Sequence, residues 1–314
     1  MKLRDIAYYK TGGHCRALYE PKNTEDLGRI VQALQATSQK YFVLGGGTNS
    51  LVLDDDWPGA VITFRRMKAI EVQGQSIYAE AGAENSAVAE AALAAGLDGA
   101  AWLFRLPGQI GGTVRMNARC YGGEISQIAT EVHTVQSDGS SKVYHAEDQV
   151  FRGYKDTIFM HNNAIVTATL LQLKTGVKGS IETRMKYYED DRRGKGQFNF
   201  PTCGCVFKND YDIGIPSGLL LDKAGVHKLN RPRVAVNPKH ANFVYNLGAG
   251  SREILEFTFA MRALVFAEFG VWLEYEMEIL GQLPADLLLK WQEKRAHRPH
   301  SEKITELKKI FQTK

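Results

Sequence analysis

The segment LGGGTNSL occupies residues 44–51 and organises the first third of the chain. It follows the apolar run YFV at 41–43, so the pattern predicts a strand, a tight turn, and then a second strand or the start of a helix. Three consecutive glycines expose backbone N–H groups that no Cβ covers, which the close approach of a pyrophosphate requires. A sharp turn without a ligand explains the glycines equally well, because Ser50 stands where a G-x-G-x-x-G motif has its third glycine.

A second glycine-rich segment, LPGQIGGTV, occupies residues 106–114 and is followed by Asn117 and by YGG at 121–123. Proline fixes the entry to a turn, and the glycines keep side chains off one surface. This arrangement suits a flat or extended ligand that lies against backbone amides. The alternative interpretation is a tight crossover packed against a helix.

Two segments of the second half carry side chains with useful chemistry. Residues 201–209 read PTCGCVFKN, so a turn of small residues presents a thiol close to a cation and an amide. Residues 274–278 read EYEME, which alternates acids with larger residues at the period of a strand. A buried cysteine and a solvated strand face are the ordinary explanations of these two patterns.

The remaining pattern predicts helices and short strands in alternation. Apolar residues at helical spacing predict a helix over 24–37 with Thr24 as its N-cap, and an alanine-rich helix is predicted over 84–95. The other predicted helices cover 181–188, 217–224 and 251–269, and the predicted strands cover 60–64, 77–81, 131–136, 141–145 and 164–174. The change of pattern after residue 175 predicts a domain boundary there.

Length and composition exclude several classes of protein. With 314 residues, 44% hydrophobic and 24% charged, the chain is predicted to fold into about two domains. A net charge of +4 is too small to indicate nucleic acid as a partner. The four cysteines lack the spacing of a zinc or disulfide scaffold, so we expect reduced thiols and no metal. Charges near the N-terminus and the lack of a long apolar run predict a cytoplasmic protein without a membrane span.

Taken in order, these segments resemble the UDP-N-acetylenolpyruvoylglucosamine reductases, the MurB family of flavoproteins in peptidoglycan precursor synthesis. The resemblance covers about residues 10–281. It rests on TGG at 11–13, LGGGTNSL at 44–51, LPG at 106–108, GG at 111–112, Asn117, YG at 121–122, YKDTIF at 154–159, GCVFKN at 204–209 and LEYE at 273–276.

The resemblance implies an α+β architecture, with a two-subdomain FAD-binding fold of the PCMH type and a third α+β domain that binds substrate. We therefore expect an FAD-binding domain over 1–175 that splits near 65–70, and a substrate-binding domain over 176–284. Residues 285–314 are expected to form a basic helical extension.

The resemblance also implies cofactors, substrate and site residues. FAD is expected to bind non-covalently, NADPH to reduce it, and UDP-N-acetylglucosamine enolpyruvate to be reduced to UDP-N-acetylmuramate. The residues expected to bind the cofactor are Gly45, Gly46, Gly47, Thr48, Asn49, Ser50, Leu51, Pro107, Gly108, Gly111, Gly112, Asn117, Tyr121 and Gly122. Those expected to bind the substrate are Tyr154, Lys208 and Asn209.

Three positions match the family's catalytic residues, and two of them differ from the family pattern. Lys155 stands where the family has an arginine, so the charge is kept and the bidentate fork is lost. Cys205 stands where the family has a proton-donating serine, and a thiol is the stronger acid of the two groups. Glu276 is retained. An alternative follows from these changes: an FAD-binding paralogue of the same fold with another ligand or weak activity.

The segment after residue 281 lies beyond the resemblance. Ile304, Leu307, Ile310 and Phe311 define one apolar face of a predicted helix for which Ser301 is the expected N-cap. This helix is interpreted as a cap on the preceding domain. The alternative is an amphipathic segment that docks on a protein partner or an anionic surface.

Overall fold

The computed structural model describes residues 1–312; Thr313 and Lys314, the last residues of the predicted extension, lie outside the described residues. Its α-helices, labelled in chain order, are α1 Thr24–Ala36, α2 Asn85–Ala94, α3 Ile110–Arg115, α4 Lys178–Gly194, α5 Ser217–Ala224, α6 Ser251–Phe269, α7 Ala285–Gln292 and α8 Ser301–Gln312. In the described part of the chain, no helix combines the length and apolar character that crossing a membrane requires.

The strands are short and are labelled in the same way. They are β1 Cys15–Tyr19, β2 Tyr41–Val43, β3 Ser50–Val52, β4 Trp57–Ile62, β5 Ile70–Gln73, β6 Ser76–Glu80, β7 Leu97–Asp98, β8 Arg119–Cys120, β9 Gly123–Glu124, β10 Ala129–Val135, β11 Ser141–His145, β12 Phe151–Gly153, β13 Asp156–Thr157, β14 Ile165–Gln172, β15 Lys174–Thr175, β16 Val234–Asn237, β17 His240–Asn246 and β18 Glu278–Leu280. The mixture of helices and mainly antiparallel sheets confirms the predicted α+β class.

The chain forms two compact units that are not continuous in sequence. The first contains Met1, Cys15–Gly46 and Pro58–Gly194, and the second contains Lys2–His14, Gly47–Trp57 and the chain from Lys195 onward. The units separate after Gly194 rather than near 175, because α4 buries Ile181 and Met185 in the core of the first unit.

The first unit has two apolar clusters. In one, α1 packs its buried face against residues of β4, and the parallel pair β2 and β4 aligns Tyr41 with Ala60. The other cluster lies on the five-stranded antiparallel sheet, of strand order β11-β10-β14-β6-β5, and includes residues of α2, α3 and α4. Asn23, not Thr24, caps α1, because the extended Asn23 accepts a hydrogen bond from the Asp26 N–H at 2.8 Å.

The second unit is built on α5, α6 and the hairpin β16–β17, around one large apolar core. β3 pairs with β18 in parallel, so that Leu51 lies opposite Ile279. Helices α7 and α8 bury Leu287, Ile304 and Leu307 in this core, which supports the interpretation of the C-terminal segment as a cap. Phe311 departs from the predicted apolar face, since it is 47% exposed.

Candidate active site

Two hairpins of the first unit present the aromatic and basic residues that the sequence analysis selected. The strands β8 and β9 are joined by Tyr121 and Gly122, whose φ angles are +52° and +80°. Positive φ at both central residues is the geometry of a type I′ turn, in which the second residue is usually glycine. The strands β12 and β13 are joined by Tyr154 and Lys155 in a second short loop.

Asn117 connects these two hairpins. Its side chain is buried, and its Nδ2 donates to Gly153 O at 2.8 Å in one hairpin and to Glu124 Oε1 at 2.6 Å in the other. Its Oδ1 accepts the Ser126 N–H at 3.4 Å. With its amide engaged in this way, the side chain of Asn117 positions the loop that carries Lys155 relative to the loop that carries Tyr121.

Lys155 is held in an unusual conformation. Its φ is +53°, a region that non-glycine residues seldom adopt, and its side chain is buried. Its charge reaches the neighbouring hairpin: burial raises the pKa of the Cys120 thiol, and Arg192 and Lys155 act in the opposite direction. Tyr154, in the same loop, has the Arg119 guanidinium 5.5 Å from its ring centroid.

Helix α4 supplies partners for Tyr121 that the sequence analysis did not identify. Tyr188 stacks on the Tyr121 ring at a centroid distance of 4.4 Å, and the Tyr121 hydroxyl donates to Asp191 Oδ2 at 2.6 Å. Burial, followed by the bond to Asp191, raises the pKa of Tyr121 well above its ordinary value. Arg192 is buried beside the same ring and donates to the carbonyls of Phe104 and Trp102. The sequence pattern predicts a helix in this region, but it does not indicate that Tyr188, Asp191 and Arg192 contact Tyr121.

The glycines of the 106–114 segment serve two different purposes. A Cβ on Gly111 would lie 2.7 Å from Ala81 Cβ, and the Gly111 N–H donates to Ala81 O at 2.9 Å, so this glycine permits close packing of α3 on the sheet. A Cβ on Gly112 would meet no atom within 4 Å. Gly112 therefore presents bare backbone to open space. The predicted contacts Pro107 and Gly108 precede α3, and Gly108 has φ +125°.

The LGGGTNSL segment is divided between the units. Gly45 and Gly46 follow β2 in the first unit, where a Cβ on Gly45 would meet only Gln109 Oε1, at 3.4 Å. Gly47, with φ +66°, and Thr48 lead into the second unit. Ser50 and Leu51 lie in β3, as the strand alternative of the sequence analysis predicts, and the Leu51 side chain is buried in the core of the second unit.

Asn49 links this segment to the predicted glutamate. Its Nδ2 donates to Glu276 O at 3.0 Å, and its carbonyl accepts the Glu278 N–H at 2.9 Å. The Glu276 N–H donates to Val206 O at 2.9 Å. The backbone of Glu276 is thus held from both sides.

Cys205 lies on the segment that also holds Glu276. The preceding Gly204 has φ +76°, and Cys205 forms an isolated antiparallel bridge with Phe243. Cys203 and Val206 are buried in the core, whereas Cys205 is half-buried. Burial raises the pKa of the Cys203 thiol well above its ordinary value, and Cys205 and Glu276 add to this effect by their proximity. Cys203 therefore stays protonated.

Asn242 fixes the segment that follows Cys205. Its Oδ1 accepts the Phe207 N–H at 2.9 Å, its Nδ2 donates to Phe207 O at 2.8 Å, and its own carbonyl accepts the Val206 N–H. No motif in the sequence marks Asn242, which lies 35 positions away from Phe207.

The two predicted substrate-binding residues of the second unit already have protein partners. Lys208 Nζ donates to Glu274 Oε1 at 2.7 Å, and the Lys208 N–H donates to Glu274 O. Asn209 Oδ1 accepts the N–H of Ser217, the first residue of α5. The structure thus assembles Cys205, Glu276 and Asn49 in the second unit, and Lys155, Asn117 and Tyr121 in the first.

Two family models match separate parts of the chain. Residues 15–143 match the family model of an FAD-binding domain, and residues 196–280 match the model described as UDP-N-acetylenolpyruvoylglucosamine reductase, C-terminal domain. The first match contains both glycine-rich segments, and the second contains Cys205 and Glu276.

Several proteins of similar length are similar to this chain in sequence, and one of them has a solved structure. A UDP-N-acetylenolpyruvoylglucosamine reductase of Carboxydothermus hydrogenoformans is 32% identical over 87% of this chain and 90% of its own length. One from Borrelia garinii subsp. bavariensis is 32% identical over 89% of this chain and 92% of its own length. The crystal structure of UDP-N-acetylenolpyruvylglucosamine reductase (MurB) from Thermus caldophilus has a TM-score of 0.74 and 32% identity, covering 89% of this chain and 97% of that one.

The residues present fit the FAD that the family model implies. Gly112 and Gly122 turn bare backbone toward space that a Cβ would enter without meeting an atom within 4 Å. Such surfaces admit a flat or anionic group to hydrogen-bonding distance of the backbone. The match of residues 15–143 to an FAD-binding domain confirms the expectation of FAD as cofactor. Among residues 1–312 we find no cluster of histidine, cysteine and acidic side chains that is suited to a metal ion.

Proposed function

Because this chain belongs to the UDP-N-acetylenolpyruvoylglucosamine reductase family, we propose that it reduces UDP-N-acetylglucosamine enolpyruvate to UDP-N-acetylmuramate, with NADPH as electron donor. This reaction would belong to peptidoglycan precursor synthesis in the cytoplasm. The observation that carries the proposal is the juxtaposition of Cys205 with Glu276, whose backbone is held by Asn49 and Val206. Both candidates lie within residues that match the C-terminal family model.

FAD, when bound, supplies hydride chemistry that no amino-acid side chain offers. The role of the protein is to bind FAD and to leave space for it. We assign this role to the bare backbone at Gly45, Gly112 and Gly122, with Pro107, Gly108 and residues 46–50 as further contacts. Three of the predicted contacts stabilise this backbone instead, because they pack against or bond to other protein groups: Gly111, Leu51 and Asn117.

Cys205 is the proposed proton donor. Reduction of a carbon–carbon double bond adds a hydride to one carbon and requires a proton at the other. The half-buried thiol carries that proton at Sγ, and a thiol is mostly protonated at neutral pH. Gly204, with its positive φ, lets the chain turn so that Cys203 enters the core while Cys205 stays accessible.

Lys155 is the proposed electrostatic group. Charge develops toward the enolpyruvyl carboxylate as the double bond is reduced, and a buried ammonium stabilises it more strongly than an exposed one. The loop that carries Lys155 is braced by the bond from Asn117 to Gly153. The ammonium is therefore placed before the substrate arrives.

Glu276 is proposed to orient the developing enol, and Lys208, Asn209 and Tyr154 to contact the nucleotide sugar. Lys208 and Asn209 have protein partners, Glu274 and Ser217, which fix their positions. The second unit is accordingly the proposed substrate-binding part of the chain.

The proposal is tested by NADPH consumption measured with and without the enolpyruvyl nucleotide sugar. The expected result is oxidation that depends on the substrate, together with formation of UDP-N-acetylmuramate. NADPH oxidation at the same rate in both samples would reject the proposed substrate. That outcome would favour the paralogue with another ligand, for which the changes at Lys155 and Cys205 are the motivating observation.

A further inference from the structure

The C-terminal segment lies outside both family models, which end at residues 143 and 280, yet it is tied to the second unit by specific contacts. Arg252 of α6 pairs with Asp286 at 2.7 Å. Arg262 Nη2 donates to Lys290 O at 2.6 Å, and Trp272 Nε1 donates to Glu293 O at 3.0 Å. These bonds hold α7 along its length.

Trp291, near the end of α7, occupies one end of an aromatic stack. Its ring lies on Tyr275 with a centroid distance of 4.2 Å and an interplanar angle of 20°. The guanidinium of Arg262 lies 4.6 Å from the Tyr275 ring centroid and 4.2 Å from that of Trp272. Stacked rings and a buried guanidinium have specific preferred geometry, so they fix orientation as well as burying area.

Tyr275 immediately precedes Glu276 and contacts the segment that carries Cys205. The Tyr275 ring lies 4.9 Å from the Phe207 ring, and the two residues form an antiparallel bridge. Burial raises the pKa of Tyr275 to about 12, so this hydroxyl stays protonated beside Thr258. In extended backbone, successive side chains point to opposite faces. A shift of the Tyr275 backbone therefore also moves Glu276, whose side chain lies on the opposite face.

We propose that Trp291 is a positioning residue: by stacking on Tyr275, the C-terminal segment sets the orientation of Glu276 and, through Phe207, of the Cys205 segment. This inference rests on the proposed function, because it gives the C-terminal segment a part in the same reaction. The stack joins Trp291 to Glu276 through a single intervening side chain. Removal of the Trp291 ring leaves Tyr275 without support on that face.

The matched control is Leu307 of α8. Leu307 is buried in the same core and belongs to the same C-terminal cap, and it is absent from the stack. Leu307→Ala is therefore expected to lower the melting temperature at least as much as Trp291→Ala, without changing the orientation of Glu276. Trp291→Phe keeps a ring on Tyr275 and is expected to restore most of the wild-type behaviour.

The experiment combines two readouts on the full chain with FAD bound. Hydrogen–deuterium exchange of the peptide 271–280 reports the Glu276 N–H bond to Val206, and the rate of flavin reoxidation by substrate reports the reaction. For Trp291→Ala we expect faster exchange in this peptide and reoxidation slowed roughly ten- to a hundredfold, as for a small misplacement of a reacting group. Flavin reduction by NADPH and the KM for the substrate are expected to change little.

Three results would overturn the inference. These are wild-type exchange in the peptide 271–280 of Trp291→Ala, wild-type reoxidation in that variant, or equal slowing in Leu307→Ala. If the alanine variant cannot be purified, Trp291→Leu keeps the apolar volume and removes the ring. Failure of the proposed function looks different, because the wild-type protein would then show no reoxidation by substrate while the exchange readout still tests the stack.

Discussion

The hairpins of the first unit and the cysteine segment of the second unit achieve order by different means. In the first unit, the proposed site is built largely from backbone: Tyr121 and Lys155 of the hairpins have positive φ angles, and Gly112 of α3 lacks a Cβ. In the second, side-chain amides hold extended backbone: Asn49 holds Glu276 and Asn242 holds Phe207. A backbone surface is sensitive to any added atom, whereas an amide-held segment tolerates changes at residues that point away from it.

The comparison predicts the largest effect for a single group in the second unit. Cys205→Ala should slow flavin reoxidation by substrate by about 10²–10⁴-fold, the usual contribution of a positioned general acid. Flavin reduction by NADPH should stay close to wild type, because that step does not use this proton. Stopped-flow absorbance of the two half-reactions measures both rates.

Cys205→Ser is the control for that variant. It introduces the serine that the family resemblance implies for this position and should be the mildest replacement. If both half-reactions slow equally in Cys205→Ala, the cysteine is structural and the second region does not work through this side chain.

In the first unit, Lys155 is proposed to act through its side chain and not through its backbone. Removal of its charge is expected to lower the reaction rate slightly less than Cys205→Ala does. Lys155→Met keeps the buried volume and the same φ, and removes the charge. Turnover should fall about a hundred- to a thousandfold, equal to about 2.7–4 kcal/mol of lost electrostatic stabilisation. Steady-state kcat measures this, with Lys155→Arg as the variant that keeps the charge. Wild-type kcat in Lys155→Met would remove Lys155 from the mechanism.

The two adjacent glycines of α3 are expected to respond differently to the same substitution. Gly111→Val forces a Cβ to 2.7 Å from Ala81 and should lower the free energy of unfolding by about 1–3 kcal/mol. Gly112→Val enters open space, so it should fold normally and lose FAD. Urea denaturation and the flavin absorbance of the purified proteins distinguish the two. A stable and fully yellow Gly112→Val protein would contradict the assigned role of this backbone.

The smallest expected effect is on stability, and it comes from Glu189, which pairs with Arg105 just before the 106–114 segment. Hydrogen bonds from Arg193, with Arg105 nearby, hold the pKa of Glu189 below its ordinary value of 4.5. A lowered folded-state pKa contributes stability above the unfolded-state value, and this contribution is lost as the pH falls through the folded-state value. Glu189→Gln should therefore be slightly less stable than wild type at pH 7 and indistinguishable from it well below pH 4.5. Melting temperatures across this range measure the difference, and a gap that persists in acid would contradict the assignment.

Local patterns predicted much of the architecture. The bounds predicted for helices at 217–224 and 251–269 and for the strand at 141–145 coincide with α5, α6 and β11. Apolar spacing and glycine placement act over a few residues, so these elements are readable from sequence. The N-cap of α1 was misplaced by one residue, because both Asn23 and Thr24 are suited to cap a helix and only the backbone angle at Asn23 selects between them.

The sequence by itself determined the class of fold and the family, and it located the glycine-rich segments that we propose to bind the cofactor. Tertiary structure decided which residues stand together. Residues 2–14 and 47–57 fold with the second unit, Asn49 bonds to a residue 227 positions away, and Trp291 reaches Tyr275. None of these contacts can be recognised from the spacing of residues in the sequence. Partners that are distant in sequence are selected because the whole chain must bury its apolar side chains and satisfy its hydrogen bonds.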